Sequence, residues 1–154
     1  NLLRERVSIR DLAGILEALA DGARTSKDID YLTEYTRQAI GRAICHQYAG
    51  ADNKIPVITL HPKLESLLAE SIQQTQLGSF PVLEPKVARQ VLNKLKETIE
   101  NLALKGITPV VLCSPQVRLP FRRFIEKYLP NTGVLSLNEI AQNIDIEVVG
   151  TVST

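Results

Sequence analysis

The stretch Ile107-Thr108-Pro109-Val110-Val111-Leu112-Cys113-Ser114-Pro115 indicates the fold of this chain most directly. Residues 107–113 form a largely apolar run with several β-branched side chains. A run without polar alternation is typical of a central strand that is covered on both faces. Pro115 suits the first turn of a helix, where its missing N–H is not needed. The stretch therefore predicts a buried strand that leads directly into a helix.

Strands and helices alternate on both sides of this stretch, between residues 54 and 154. Strands are predicted at residues 55–60, at 133–136 and, at a sheet edge, at 144–152. Helices are predicted after His61-Pro62, over residues 85–105 and from Pro115 onward, with a helical turn at 137–141. Residues 78–81 have loop composition. The pattern is that of an α/β unit with a sheet of about four strands.

The first fifty residues have the periodicity of helices instead. Ser8 is the predicted N-cap of a first helix, and a second helix is predicted over residues 30–48. Their inward faces are predicted from apolar spacing: Ile9, Leu12, Ala13, Leu16, Leu19, Ala20 and Ala23 in the first, and Leu32, Tyr35, Ala39, Ile40 and Ala43 in the second. Arg37 falls outside the second face.

A loop-like composition at residues 50–54 separates these two patterns. We therefore predict an α/β (α+β) protein with a helical subdomain at residues 1–50. A small α/β subdomain with a mixed sheet follows at residues 54–154. The chain begins without Met and in mid-pattern, which favours a fragment of a longer protein.

Composition narrows the classes of function. The 154 residues carry a net charge of +1, and aromatic residues make up 5% of the chain. Near-neutral charge and few stacking side chains argue against a nucleic-acid partner, although a helical nucleic-acid-binding module stays open as an alternative. No apolar run approaches the length that spans a bilayer. Two distant cysteines favour reduced thiols in a cytosolic fold.

The chain shows no convincing catalytic or metal-binding motif. Cys45 and His46 are adjacent and would point about 100° apart on a helix, which does not suit one zinc ion. Glycine-rich phosphate loops are absent, and the carboxylates are dispersed. We expect no catalytic residues, no metal and no cofactor. The alternative is a small α/β enzyme with a reactive Cys113, because a thiol near a helix N-terminus can have a lowered pKa.

The densest basic cluster lies on the helix that begins at Pro115. Arg118 and Arg122 are four residues apart and share a helix face, and Arg123 and Lys127 are close by. The plainer interpretation is a solvated helix face. The functional one is a docking surface for an acidic partner, built from Arg118, Arg122 and Arg123.

Four segments, taken in order, resemble the C-terminal cytoplasmic region of the flagellar and type III secretion export-gate (FHIPEP) family. They are Arg6-Val7-Ser8-Ile9-Arg10-Asp11-Leu12, Leu32-Thr33-Glu34-Tyr35-Thr36-Arg37-Gln38-Ala39, Val110-Val111-Leu112-Cys113-Ser114-Pro115-Gln116-Val117-Arg118 and Gly133-Val134-Leu135-Ser136-Leu137-Asn138-Glu139-Ile140. The likeness covers nearly the whole chain, and the second segment favours the flagellar branch over the virulence branch.

The resemblance implies a non-enzymatic platform at the cytoplasmic face of the bacterial inner membrane. Members of this family form a homo-oligomeric ring that docks export chaperone–substrate complexes and other export-apparatus proteins. Their membrane anchor lies in a preceding N-terminal region. The chain resembles their last two subdomains, joined here by a hinge at residues 50–54. We expect Glu34 and Arg37 to face outward as ring contacts, with Tyr35 packed inward.

Overall fold

The computed structural model describes residues 2–50, 52–75 and 78–153, with the backbone alone at residues 74, 75 and 78–80. The helices in this part of the chain are α1 (Leu12–Ala23), α2 (Ile29–Ala39), α3 (Gly41–Tyr48), α4 (Pro62–Ser71), α5 (Pro85–Leu104) and α6 (Pro115–Ile125). The strands are β1 (Lys54–Leu60), β2 (Ile72–Thr75), β3 (Gly78–Pro81), β4 (Val110–Cys113), β5 (Val134–Ser136) and β6 (Asp145–Val152). A 3-10 turn, Leu137–Glu139, follows β5.

Four strands form one sheet in the order β5-β4-β1-β6, which confirms the α/β class and the edge position of the last strand. All three neighbouring pairs are parallel, so the sheet is not mixed. Helices or the 3-10 turn return the chain between successive strands, as parallel pairing requires. The loop predicted at residues 78–81 is instead β3, which pairs with β2 in an antiparallel hairpin.

The burial of strand β4 explains why residues Val110–Cys113 are apolar without interruption. All four of its residues are buried. Val110 and Leu112 belong to the core on one face of the sheet, and Val111 and Cys113 to the core on the other. Successive side chains of a strand point to opposite faces, so covering both faces requires apolar residues at every position.

The two cores lie on opposite faces of the sheet. One packs the sheet against α4, α5 and α6 through Leu64, Leu68, Val91, Leu95, Leu102, Val117, Phe121 and Ile125. The other packs it against the N-terminal helices through Val7, Ile15, Ile40, Ile44 and Cys45. The second core crosses the boundary predicted at residues 50–54, of which Ala51 lies outside the described residues. The helical segment is therefore an outer layer of the α/β sheet.

Helix α1 differs from its prediction in its start and in its buried face. Asp11, not Ser8, is the N-cap, and its Oδ1 accepts a hydrogen bond from the backbone N–H of Gly14 at 3.1 Å. Ile15 and Ala18 are buried, whereas Leu12 and Leu16 are 55% and 57% exposed. The side predicted to face inward thus carries exposed leucines.

The helix predicted over residues 30–48 is two helices that meet at Ile40. Ile40 leaves helical geometry at φ −104°, ψ 19°. At Gly41, a Cβ atom would lie 2.7 Å from the backbone oxygen of Glu139. Only glycine allows the 3-10 turn to approach α3 so closely. The break therefore seats the turn against the start of α3.

Within the described ranges, no helix combines the length and hydropathy needed to cross a membrane.

Candidate functional site

Two arginines of α6, Arg118 and Arg122, lie inside the protein. Arg118 is fully buried and Arg122 is 4% exposed. Their expected orientation toward a partner is therefore wrong. Because α6 packs between the sheet and α2, its polar side meets protein and not solvent. Any role of these two arginines in partner binding must act through the residues that they hold in place.

Arg118 is bonded on several sides. Its Nη1 lies 2.7 Å from Glu5 Oε1, and its Nη2 lies 2.6 Å from Glu34 Oε1. Nη1 also donates to the backbone oxygen of Val134 at 3.1 Å. A planar guanidinium suits this arrangement because its five N–H groups form a fixed fork. Arg118 thereby joins the N-terminal segment, α2 and β5 to α6.

Arg37 is also buried, which corrects the expectation that it faces outward. It is 2% exposed, and its Nη2 lies 2.8 Å from Glu139 Oε2. Its Nη2 donates to Val134 O at 3.2 Å. The inward face of α2 also contains Thr33 and Thr36. Tyr35, expected to be packed inward, is 36% exposed.

These contacts form one buried charge cluster, which we define as Glu5, Glu34, Arg37, Arg118, Arg122 and Glu139. Its three arginines balance its three glutamates. Glu139 accepts hydrogen bonds from Arg37 and also caps the 3-10 turn by accepting from the backbone N–H of Ser136 at 3.1 Å. Buried charges require such pairing, since an unpaired ion loses its hydration without compensation.

Glu5 illustrates the electrostatic balance of this cluster. Burial alone would raise the pKa of its carboxyl group, but the hydrogen bond from Arg118 and the charges of Arg118, Arg37 and Arg122 outweigh that effect. The net result is a pKa below the ordinary value of 4.5. Glu5 therefore stays ionised when it is folded into the cluster.

Two predicted site residues keep some contact with solvent. The Glu34 side chain is 22% exposed while bonded to Arg118. The Arg123 side chain is 13% exposed, and its Nη1 donates to Asp30 Oδ2 at 2.7 Å. Ring contact by Glu34 and partner contact by Arg123 stay predictions.

The cysteines are set in surroundings that oppose reactivity. Cys113 is 2% exposed, and burial raises the pKa of its thiol. Cys45 is fully buried, its thiol pKa is also raised by burial, and its Sγ donates to the backbone oxygen of Glu139 at 2.9 Å. A reactive cysteine needs exposure and a lowered pKa. The hypothesis of a reactive Cys113 is therefore not supported by its position.

Sequence reasoning missed two surface features. The first is the exposed pair Leu12 and Leu16 on α1. Glu17 and Asp21 are also exposed, but they point roughly 100–180° away from these leucines around the helix axis. The helical spacing places these two leucines on one side of the helix, but their apolar character led to the prediction that this side is buried. Periodicity alone does not reveal that Ile15 and Ala18, on the other side, provide enough packing surface.

The second feature is a basic groove between residues 6–11 and α3. It consists of two adjoining hollows of about 470 and 480 Å³. Four exposed basic side chains lie around exposed Ala43 there, namely Arg6, Arg10, Arg42 and His46, and the acidic Asp11 lines both hollows. The first three make no ion pair within the described part of the chain. Their wide separation in sequence hid this cluster.

Comparison with known proteins identifies the relatives of this fold. The FHIPEP family matches residues 1–145, which is most of the chain. The chain belongs to the FHIPEP family. It is 38% identical over 151 residues to the flagellar biosynthesis protein FlhA of Bacillus subtilis, and the match covers 98% of this chain but 22% of FlhA. The FHIPEP resemblance seen in the four segments is thus confirmed.

Solved FHIPEP structures share the fold. The nonameric EPEC SctV-C superposes with a TM-score of 0.86 at 33% identity. The match covers 97% of this chain and 45% of the SctV-C chain. The Chlamydia pneumoniae CdsV protein in complex with CdsO gives a TM-score of 0.87 at 34% identity, over 98% of this chain and 44% of CdsV. This chain therefore corresponds to somewhat less than half of those solved chains.

Proposed function

We propose that this chain is part of the cytoplasmic ring of a protein-export gate. It docks export chaperone–substrate complexes and other export-apparatus proteins and catalyses no covalent reaction. The observation that supports this most is FHIPEP membership over residues 1–145, joined to the fold shared with a nonameric relative. Flagellar export is the preferred system because of the FlhA match.

The interior of the chain suits a rigid support for docking surfaces. One core and the buried charge cluster both connect the N-terminal helices to the sheet. A hinge movement at residues 50–54 would break these contacts and leave charged groups unpaired in the interior. We therefore propose that the described parts of the chain, residues 2–50, 52–75 and 78–153, move as one body, and that movement during export occurs between this body and other parts of the assembly.

The partners are proteins of the export apparatus. CdsV, a relative at 34% identity, has been solved in complex with CdsO, which supports protein–protein contact as the activity of this fold. The chain spans about a fifth of the FlhA relative, at 22%. Attachment to the cytoplasmic face of the bacterial inner membrane is proposed to come from a preceding region of the complete protein.

Calorimetric titration with a flagellar chaperone–substrate complex tests this function. This chain and a longer protein that extends upstream to the membrane would be titrated in parallel. Binding by this chain would place a docking surface on it, and binding by the longer protein alone would leave it a supporting part of the ring. If neither binds and neither assembles, the proposed function is wrong.

A further inference from the structure

The two edges of the parallel sheet differ in how they are protected. At one edge, β5 has three residues, and the backbone oxygen of Val134 accepts hydrogen bonds from the buried Arg37 and Arg118 at 3.2 and 3.1 Å. At the other edge, β6 has eight residues and is the longest strand of the sheet. Within the described residues, no helix or loop hydrogen-bonds to the outer side of β6. A long open edge of this kind is a template for a further strand.

The backbone groups of Ile146 and Val148 point away from the sheet. Asp145 donates its N–H to the backbone oxygen of Asn53 at 3.0 Å, which places the backbone groups of Asp145 on the side of β1. The backbone groups of successive strand residues alternate between the two sides of the strand, so those of Ile146 and Val148 face outward. The register with β1 stays regular through Val148 and shifts after it. The open edge thus offers N–H donors and C=O acceptors at regular strand spacing.

Ile146 and Val148 also present apolar side chains on one open face of the sheet. They lie beside Ile55 and Val57 of β1, which belong to the core beneath the N-terminal helices. Ile55 and Val57 are fully buried, whereas Ile146 and Val148 are 42% and 56% exposed. The N-terminal helices therefore cover β1 and leave the same face of β6 open. A further strand beside β6 would supply apolar neighbours for these two side chains.

Asp145 and Glu147 give the opposite face of this edge a negative charge. Both side chains are exposed, and neither makes an ion pair within the described residues. Lys54 lies opposite Asp145 in the register, whereas Glu147 lies opposite Pro56. Pairing with β6 of a second copy would bring the carboxylates of both copies together, and like charges across a strand pair are destabilising. The charges therefore favour a strand that carries Lys or Arg at the facing positions.

We propose that the outer edge of β6 binds an extended segment of a partner protein, which adds a fifth strand to the four-stranded sheet. The segment places apolar side chains beside Ile146 and Val148 and alternates them with Lys or Arg beside Asp145 and Glu147. In this mode of binding, backbone hydrogen bonds provide affinity and alternate side chains provide specificity. The inference rests on the proposed docking function and names one surface and one partner chemistry for it.

A short synthetic peptide that alternates lysine and valine, capped at both ends, is the probe. Its affinity for this chain is measured by NMR titration of the backbone amide signals. Hydrogen exchange of the Ile146 and Val148 amides, which face outward, should slow by at least about tenfold at saturating peptide. Two control peptides carry N-methyl groups, one on every valine and the other on every lysine. The peptide whose N-methyl groups face β6 loses its hydrogen bonds to the edge and should bind at least about tenfold more weakly than the other.

Variants of the chain test the backbone edge and its charge separately. Ile146→Pro removes an outward N–H and no bond to β1, a change that edge strands tolerate, and should weaken peptide binding by at least about fivefold. Glu147→Lys places a like charge against the peptide and should weaken binding by about fivefold. A matched control, Glu70→Lys at an exposed position of α4, changes the net charge equally and should leave the affinity unchanged. Circular dichroism confirms that each variant is folded.

Three results would contradict strand addition by a partner. The first is a peptide that does not bind, and the second is binding that leaves the Ile146 and Val148 amides unprotected or is unchanged by Glu147→Lys. The third is protection of these amides that rises with protein concentration alone, which would identify a second copy as the occupant.

The calorimetric titration with a chaperone–substrate complex, repeated with Glu147→Lys, separates this inference from the proposed function. A weaker affinity of this variant, with Glu70→Lys unchanged, supports the edge of β6 as a docking surface. An unchanged affinity overturns the inference and leaves docking to another surface. If neither the native chain nor the longer protein binds the complex, the proposed function is wrong, and the peptide experiment still decides whether the edge of β6 accepts a strand.

Discussion

The carboxylate of Glu34 and the guanidinium of Arg118 lie 84 residues apart in sequence and meet through three short contacts. Arg118 Nε lies 2.9 Å from both Glu34 oxygens, and Nη2 lies 2.6 Å from Oε1. Charge-assisted bidentate pairs of this kind are among the stronger polar contacts. The pair connects α2 to α6 and so fixes the N-terminal layer on the sheet.

Replacement of Arg118 by Met should destabilise the fold severely. Methionine keeps much of the volume but leaves Glu5 and Glu34 without their main partner in a buried site. Breaking a buried pair from one side costs about 3–5 kcal/mol. Urea unfolding followed by circular dichroism measures this change. Arg89→Ala, at an exposed position of α5, is the control and should change stability by less than about 0.5 kcal/mol. Equal effects of both would refute the central role of Arg118.

Acid should weaken the fold through Glu5. The pKa of this group is lowered in the folded state, so its contribution is fully present above the ordinary value of 4.5 and is lost as the pH falls through the lower folded pKa. Urea midpoints measured from pH 7 to pH 3 should therefore fall most steeply below about 4.5. Glu5→Gln should be less stable at pH 7 and should lose less on acidification. An unchanged slope in that variant would show that other carboxylates dominate.

Both cysteines should be unreactive in the folded protein. Burial raises the thiol pKa of Cys113 and of Cys45, and a reagent reaches them only when the structure opens. Modification by a thiol-specific chromogenic disulfide at pH 8 should be slower by about two orders of magnitude or more than in denaturant. Cys113→Ser and Cys45→Ser identify which thiol reacts. Rapid modification of Cys113 in the native state would restore the enzyme hypothesis.

Gly41→Ala should destabilise the contact between α3 and the 3-10 turn. The added Cβ would lie 2.7 Å from the backbone oxygen of Glu139, which cannot move without disturbing its hydrogen bond from the Cys45 thiol. Such overpacking costs about 1–3 kcal/mol, measured by urea unfolding. Gly50→Ala is the control, because its Cβ meets only the Asp52 side chain at 3.3 Å and, at an ordinary contact distance of 3.9 Å, the backbone oxygen of Lys54. If both variants are equally stable, the turn tolerates a shift.

Arg123 should affect partner binding with less effect on stability than Arg118. Its side chain keeps some solvent contact and makes a partly buried bidentate pair with Asp30, so its loss should destabilise by about 1–3 kcal/mol. If the docking prediction for this residue holds, Arg123→Ala weakens binding of a chaperone–substrate complex by calorimetry, whereas Arg89→Ala does not. Unchanged affinity in a folded Arg123→Ala protein removes it from the docking surface.

Strands and helices that depend on local patterns could be predicted closely from the sequence. The apolar run ending at Cys113 and the helix start at Pro115 are both present. The apolar stripe of α5 is buried at Val91, Leu95 and Leu102. In these segments, side-chain periodicity and the special backbone of proline act within one element.

The positions of the charged residues could not be predicted in the same way. Arg118 and Arg122 have the spacing of a solvated helix face. Sequence alone does not reveal that α2 and the N-terminal segment cover α6. Burial of these arginines depends on Glu5, 113 residues from Arg118, and on Glu34 from another helix. Charges that are so far apart in sequence are paired by the tertiary packing, and neither sequence segment alone reveals the pairing.

The sequence by itself determined the α/β class, the buried central strand and the FHIPEP resemblance, because each of these follows from residue types at fixed local spacing. Only the tertiary structure decided which polar residues are inside and which leucines are outside. The reason is that burial depends on what lies across from a side chain. Arg37 is inside because Glu139 meets it there, and Leu16 is outside because Ile15 and Ala18 occupy the side of α1 that faces the protein.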